Sequence, residues 1–575
     1  MSVSKKRKFY LSLFSVLVLG VNLCLGTVIS AKDNDLSLQT AEEIVDHISH
    51  EIPKISRDGK SVILPESPNP QYEVSLYGSD NKQIIDMDLN FYQPISDMKV
   101  NVLYKVTNKT DSTDFAVSSA DIPVNVRGKY SDEEGDNPVP NVIPGLREWK
   151  GFTGDFVLSD DSNIVIDASH ANTLTETAKL IQGYFKNMIG QDIAIEEGSE
   201  PHAGDIFLTL NENQQHLGEE GYTLEIKDIV TISAPEPKGI NYGGISITQI
   251  LYQSPDKKTL PKGIARDYPK YEVRSGMLDV GRMYIPLDYV QEMTAYMAWF
   301  KLNEIQLHIN DYWGSANYEA FRLESKKYPE INAKDGYYPQ EEYIAYQNNV
   351  KKYGIDVVTE IDTPYHAESF RAVNPDMMLK KGALDITTPE KRALVYPFIE
   401  SLFDEFLGDS PNDENRVVQS DKFHIGTDEY DKTYSEEMRH YTDHFINYVN
   451  DKGYETRLWG SLGKNGFDGN APVSNQATMN IWAPYWSDVN EMYDAGYDII
   501  NTVGGDLYIV PVGNAGYPDY LDIRSKYDTW EVNDFWGNNR QGGRGGATIR
   551  SSTNKRGRVC GMERHGILFR WTVQL

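Results

Sequence analysis

From Tyr271 onward the chain alternates strand-like and helix-like segments without interruption, and no other feature limits its fold as tightly. Strand candidates are Glu272–Asp279, Glu304–Asn310, Ile355–Asp362, Phe423–Glu429, Thr456–Trp459, Met479–Ala483 and Asp498–Val503. The stretches between them carry apolar residues at helical spacing, as at Val290, Met293, Met297 and Phe300, and at Met438, Tyr441, Phe445 and Val449. These seven βα units predict an α/β catalytic domain, a (β/α)8 TIM barrel over residues 271–540, one strand short of closure.

Two bodies precede it. Residues 32–150 favour strands: Met98, Val100, Val102, Tyr104 and Val106 alternate with mostly polar neighbours. This predicts a β-rich N-terminal module, with the acidic stretch from Ser131 to Pro144 as a linker. Residues 151–270 mix short strand candidates (Ile164-Val165-Ile166, Ile206-Phe207-Leu208, Tyr222-Thr223-Leu224) with helical spacing at Ala178, Ile181 and Phe185, which predicts an α+β domain. At the start, Lys5, Lys6, Arg7 and Lys8 precede an apolar run ending near Leu25 and small residues around Ala31. That is the layout of a secretory signal peptide over residues 1–31, so the protein is expected to be secreted or at the cell surface, with no stable membrane span once the signal is removed.

Composition narrows the partners. Acidic residues outnumber basic ones 85 to 56, a net charge of −29, which argues against nucleic acid. The only cysteines are Cys24 and Cys560, so neither a disulfide framework nor a Cys-ligated metal is expected in the body of the chain. HExxH, Walker A and Rossmann patterns are absent.

In a parallel barrel the chemistry gathers where strands end and βα loops begin. The predicted ends supply Asp279 and Arg282, His308 and Asp311, Glu360, Asp362 and His366, His424, Asp428 and Glu429, Trp459, Trp482 and Tyr508. Carboxylates, imidazoles and flat rings converging on one rim suit a sugar pocket, where acids meet hydroxyls and rings meet C–H faces. The adjacent Asp428 and Glu429 would normally face opposite sides of a strand. Relaxation of the twist at the strand's end is expected to let both reach one pocket, in environments that hold one ionised and the other protonated.

Arg274-Ser275-Gly276-Met277-Leu278-Asp279-Val280-Gly281-Arg282, Leu307-His308-Ile309-Asn310-Asp311, Glu360-Ile361-Asp362-Thr363-Pro364-Tyr365-His366 and His424-Ile425-Gly426-Thr427-Asp428-Glu429 occur in the order and spacing of family 20 glycoside hydrolases. From about Gly151 to Arg540 the chain resembles that family, the β-N-acetylhexosaminidases and lacto-N-biosidases. The resemblance implies removal of β-linked N-acetylhexosamine or lacto-N-biose from glycans by substrate-assisted retaining hydrolysis, without metal or cofactor. It implies Glu429 as general acid and base, and Asp428 as the carboxylate that holds the acetamido N–H. Tyr508 would donate to the acetamido oxygen, Trp459 and Trp482 would wall its pocket, and Arg274 would grip sugar hydroxyls. His308, Asp311, Asp362, His366 and His424 would form a supporting shell. Two departures stand out: Val510 lies where an acid often follows the pocket Tyr, as in the lacto-N-biosidase branch, and Tyr365 stands where Pro-Gly-His is usual.

Residues 541–575 carry seven Lys/Arg against one Glu, a local reversal of charge. Ile567, Phe569, Trp571 and Val573 alternate as an eighth strand would. The preferred expectation is instead a frameshift near residue 540 that replaced that strand and left the barrel edges open. Two other readings remain at this stage: a catalytically impaired glycan-binding surface protein, and a two-carboxylate glycosidase using Glu360 and Glu429.

Overall fold

The computed structural model describes residues 38–313, 318–511 and 517–535, together with the backbone of 566–571. The expected signal segment and most of the basic tail, including the site of the expected frameshift, lie outside these residues.

The N-terminal body is β-rich, as its alternation predicts. Met98–Asn108 is the central strand of an antiparallel sheet, pairing with Tyr72–Ser79, Asp111–Val117 and Ile122–Val126. Its Val100, Val102, Tyr104 and Val106 are buried against the helix Ala41–Ile48. That helix opens with a reciprocal capping box between Thr40 and Glu43.

The second body is a seven-stranded sheet with helices Ala171–Tyr184 and Pro237–Gln253 packed on it. It begins before the expected boundary at 151, because Glu148–Val157 pairs with Thr259–Asp267. The stretch read as a linker packs on this body: Asn137 Nδ2 donates to the carbonyls of Gly154 and Lys262. Helix Pro237–Gln253 buries thirteen of its seventeen residues, because its other side meets the barrel through Tyr242–Arg274 and Gln249–Trp299 hydrogen bonds.

The third body is a closed parallel barrel. Its strands are β1 (Arg274–Asp279), β2 (Glu304–His308), β3 (Asp356–Thr363), β4 (Lys422–Gly426), β5 (Glu455–Trp459), β6 (Thr478–Ile481), β7 (Asp498–Asn501) and β8 (Gly566–Trp571), and each lies parallel to the next. The expectation of a lost eighth strand is corrected: β8 pairs with β7 at Asn501↔Ile567 and with β1 at Gly276↔Phe569. β1 and β7 would otherwise present unpaired edges, and the alternating tail segment has the pattern to fill them. Outside the strands run α1 (Leu287–Trp299), α2 (Gln340–Lys351), α3 (Pro389–Leu407) and α4 (Ser435–Asp451). Their apolar faces and the strands' outer faces form one continuous core.

Polar layers cross the barrel interior. At the opening ends of the strands, Glu304 receives Arg457 in bidentate fashion at 2.6 and 3.0 Å and Lys422 at 2.8 Å. A cavity of about 1060 Å³ lies beneath this layer, between the barrel and the two other bodies. At the closing ends, Asp279, His308, Glu360 and His424 occupy one register row across β1 to β4. Among the described residues, no helix is long and apolar enough to cross a membrane.

Candidate active site

The row of Asp279, His308, Glu360 and His424 is almost completely buried and forms the floor of the site. Asp311, just beyond β2, lies at its centre. Its Oδ2 is 2.6 Å from Arg282 Nη2 and 2.7 Å from His308 Nε2, and its Oδ1 is 2.9 Å from His366 Nδ1. These cations hold Asp311 well below the usual carboxylate range against the upward pull of burial. His308 bridges Asp311 to Glu360, whose Oε1 is 2.9 Å from Nδ1. Burial alone would discharge His308, but Glu360, Asp279 and Asp311 push it up to about 10, so it is an imidazolium at neutral pH.

Glu360 also accepts Trp459 Nε1 at 2.6 Å and Gln306 Nε2 at 2.7 Å. Glu360 is fully buried and bonded on both oxygens, so it presents no free oxygen at the rim. His424 packs its ring on Trp459 at 4.8 Å and accepts the Gly426 N–H at Nδ1.

Above this floor stand the paired acids. Strand β4 ends at Gly426, earlier than the expected end at Glu429. Gly426, Thr427 and Glu429 have φ of +77°, +77° and +51°, so left-handed turns, not a relaxed twist, bring both carboxylates to one side. A Cβ on Gly426 would lie 1.8 Å from Asp362 Oδ1, so only glycine admits this approach. Asp428, Asp362 and His366 have polar atoms mutually within 4.8 Å. Burial, then the charge of Asp428, pushes Asp362 well above the carboxylate range.

Glu429 is the accessible member, its side chain 40% exposed, and its Oε2 lies 3.1 Å from His366 Nε2. Burial pulls Glu429 up; the His366 hydrogen bond and the charges of His366 and Arg282 outweigh it and leave Glu429 below its ordinary value. His366 is itself raised well above an ordinary imidazole, because Asp311 and Asp362 outweigh the effect of burial. Hydrogen bonds and one ion pair, His308–Glu360, therefore link Glu429, His366, Asp311, His308, Glu360 and Trp459, from the rim to the aromatic wall.

That wall is Trp459, Trp482 and Tyr508, which cluster with Met277 and Val510. Trp482 Nε1 is buried without a hydrogen-bond acceptor. Arg274 does not belong here. It opens β1, at the opposite end of the barrel from the acids, and its Nη2 is 2.6 Å from Glu220 of the α+β domain while Nε donates to the Lys301 carbonyl. The arginine at the rim is Arg282, which follows β1 and is legible in the sequence as a strand-end residue. Asn310 was missed. Its amide accepts the Asp362 N–H and donates to the Asp362 and His366 carbonyls, templating the loop after β3.

The family described as "Glycosyl hydrolase family 20, catalytic domain" matches residues 271–563, and its "domain 2" matches residues 139–268. The chain belongs to glycosyl hydrolase family 20. Among its relatives, the lacto-N-biosidase of Bifidobacterium bifidum is 25% identical over 398 residues, 63% of this chain and 32% of that protein. Beta-hexosaminidase 1 of Coccidioides posadasii is 24% identical over 389 residues, 59% of this chain and 61% of the relative. The chain thus spans about a third and three fifths of these proteins. The fold is that of the family 20 β-N-acetylhexosaminidase of Streptomyces coelicolor, with TM-score 0.58, 19% identity, and coverage of 76% of this chain and 86% of the other. The family 20 exo-β-N-acetylglucosaminidase of Vibrio harveyi in complex with N-acetylglucosamine gives 0.57, 14%, 87% and 90%.

Proposed function

We propose that the protein is an exported glycosidase that removes β-linked N-acetylhexosamine, or the disaccharide lacto-N-biose, from glycans, and that the substrate's own acetamido oxygen is the nucleophile. One observation carries this reading: among the described carboxylates at the rim, Glu429 alone is both substantially exposed and tied to a proton carrier, while Glu360 is fully occupied. A site whose exposed acid has a proton source, and whose other described acids are buried, suits a reaction in which the sugar supplies the nucleophile.

The sugar ring lies over the acids with its acetamido group against Trp459, Trp482 and Tyr508. Asp428 accepts the acetamido N–H and turns the oxygen toward C1. As substrate displaces water, Glu429 loses solvation and its proton affinity rises. The proton passes from His366 Nε2 to Glu429 Oε2 and on to the leaving oxygen while the acetamido oxygen bonds C1. Asp428 stabilises the positive oxazolinium. Water then attacks C1 from the opposite face as the C1–acetamido oxygen bond breaks, Glu429 takes its proton and returns it to His366 Nε2, and configuration is retained. Arg282 replaces Arg274 as the arginine that reaches sugar hydroxyls. Val510, apolar and buried beside Tyr508, gives no partner to a sugar hydroxyl and favours a −1 sugar that carries a substituent.

A panel of chromogenic β-glycosides tests this: N-acetylglucosaminide, N-acetylgalactosaminide, lacto-N-bioside and plain glucoside. Release from an acetamido substrate with the β-anomer as first product is expected. Comparable turnover of the plain glucoside would end the substrate-assisted reading.

A further inference from the structure

Tyr365 and Tyr312 have no part in the chemistry above, yet both touch the proton carrier. Tyr312 follows Asp311 in the loop after β2, and Tyr365 precedes His366 in the loop after β3. The Asp311–His366 bond (2.9 Å) is one rung between these loops. The neighbouring residues make a second, with Tyr312 Oη 2.7 Å from Tyr365 Oη. The Tyr312 N–H donates at 2.6 Å to Asp311 Oδ1, the oxygen that also binds His366, so the two rungs share an end. The rings reinforce them: Tyr365 packs against the His366 ring at 4.7 Å, and the two tyrosine rings meet edge-to-face at 5.9 Å. Tyr312 is backed by Gly382, where a Cβ would lie 2.2 Å from the ring. His366 needs such support, because its backbone is left-handed (φ +57°).

We propose that Tyr365 and Tyr312 are positioning residues: their hydroxyl–hydroxyl bond locks the loops after β2 and β3 together and fixes His366 Nε2 on Glu429. The proposal rests on the reading of Glu429 as general acid. A single bond between two side chains has a specific signature, since removing either hydroxyl removes the same interaction and removing both costs nothing further.

The test uses the full chain with Tyr365→Phe, Tyr312→Phe and the double variant. Each is assayed on an alkyl N-acetyl-β-glucosaminide, whose departure needs a proton, and on the 2,4-dinitrophenyl glycoside, whose departure does not. The expected result is a roughly tenfold fall in kcat on the alkyl substrate in all three variants. KM should move less than twofold, and kcat/KM on the dinitrophenyl substrate, which reports bond cleavage and not the later attack of water, should be unchanged. Equal losses on both substrates, or additive losses in the double variant, would overturn the proposal. If the wild type turns over neither substrate, the functional reading fails, and the rung is judged by the ¹⁵N spectrum of histidine-labelled protein. Loss or broadening of the His366 Nδ1–H resonance in the Phe variants supports it, and an unchanged resonance overturns it.

Discussion

At the residue scale, the site depends on which groups hold protons. Glu429→Gln removes the proposed proton donor but keeps the shape, and kcat on ordinary leaving groups should fall on the order of 10²–10⁴-fold with KM little changed. Gly426→Ala acts by collision, since the added carbon would overlap the Asp362 carboxyl at a position that is also left-handed. We expect a loss of about 2–4 kcal/mol by urea denaturation. His308 sets a pH dependence. Its folded pKa, about 10, lies above its unfolded value near 6.5. The stabilisation it gives is complete below pH ~6.5 and disappears as pH rises through about 10. Melting temperature should therefore fall over that window, and His308→Gln should flatten the slope.

At the element scale, the opening ends of β2, β4 and β5 are joined by Glu304, Lys422 and Arg457. Burial raises Glu304, but Arg457 and then Lys422 outweigh it and bring its pKa to about 2 from 4.5. The sign is opposite to that of His308: this stabilisation is present above pH ~4.5 and lost as pH falls through about 2. Denaturation midpoints stepped down through pH 4.5 should show the loss in wild type, and Glu304→Gln should remove that step. The strands were legible because parallel barrel strands read as short apolar runs with polar ends. Their last residues were less so: β4 stops at Gly426 because of backbone conformation, which apolar patterning does not encode. Reading strand ends found Arg282. Arg274, the arginine that the family resemblance implies for the sugar, lies eight residues earlier and at the other end of the barrel.

At the scale of the whole molecule, the barrel and the α+β domain are joined by buried charge. Lys301 lies in the turn between α1 and β2, and its Nζ reaches Asp267 Oδ2 at 2.9 Å, Ser246 Oγ at 2.8 Å and Tyr222 Oη at 3.0 Å, all on the other domain. Arg274 repeats the link through Glu220. Lys301→Met leaves Asp267 buried without its cation and should cost about 3–5 kcal/mol, seen as a lowered melting temperature in calorimetry. The proposed catalytic groups lie at the far end of the barrel, so kcat below the melting range should be preserved. The same joint explains why helix Pro237–Gln253 is buried on nearly every side: it is a layer shared by two cores.

The sequence by itself determined the barrel, the two bodies before it, and the acids and imidazoles at the rim, because strand periodicity and βα alternation are local properties of the chain. Closure by β8, the left-handed turns that align Asp428 with Glu429, the occupied state of Glu360 and the attachment of Arg274 to the neighbouring domain were decided only in three dimensions. Each depends on groups distant in the chain meeting at a few ångströms, where burial and charge act together, and no pattern within one segment records such a meeting.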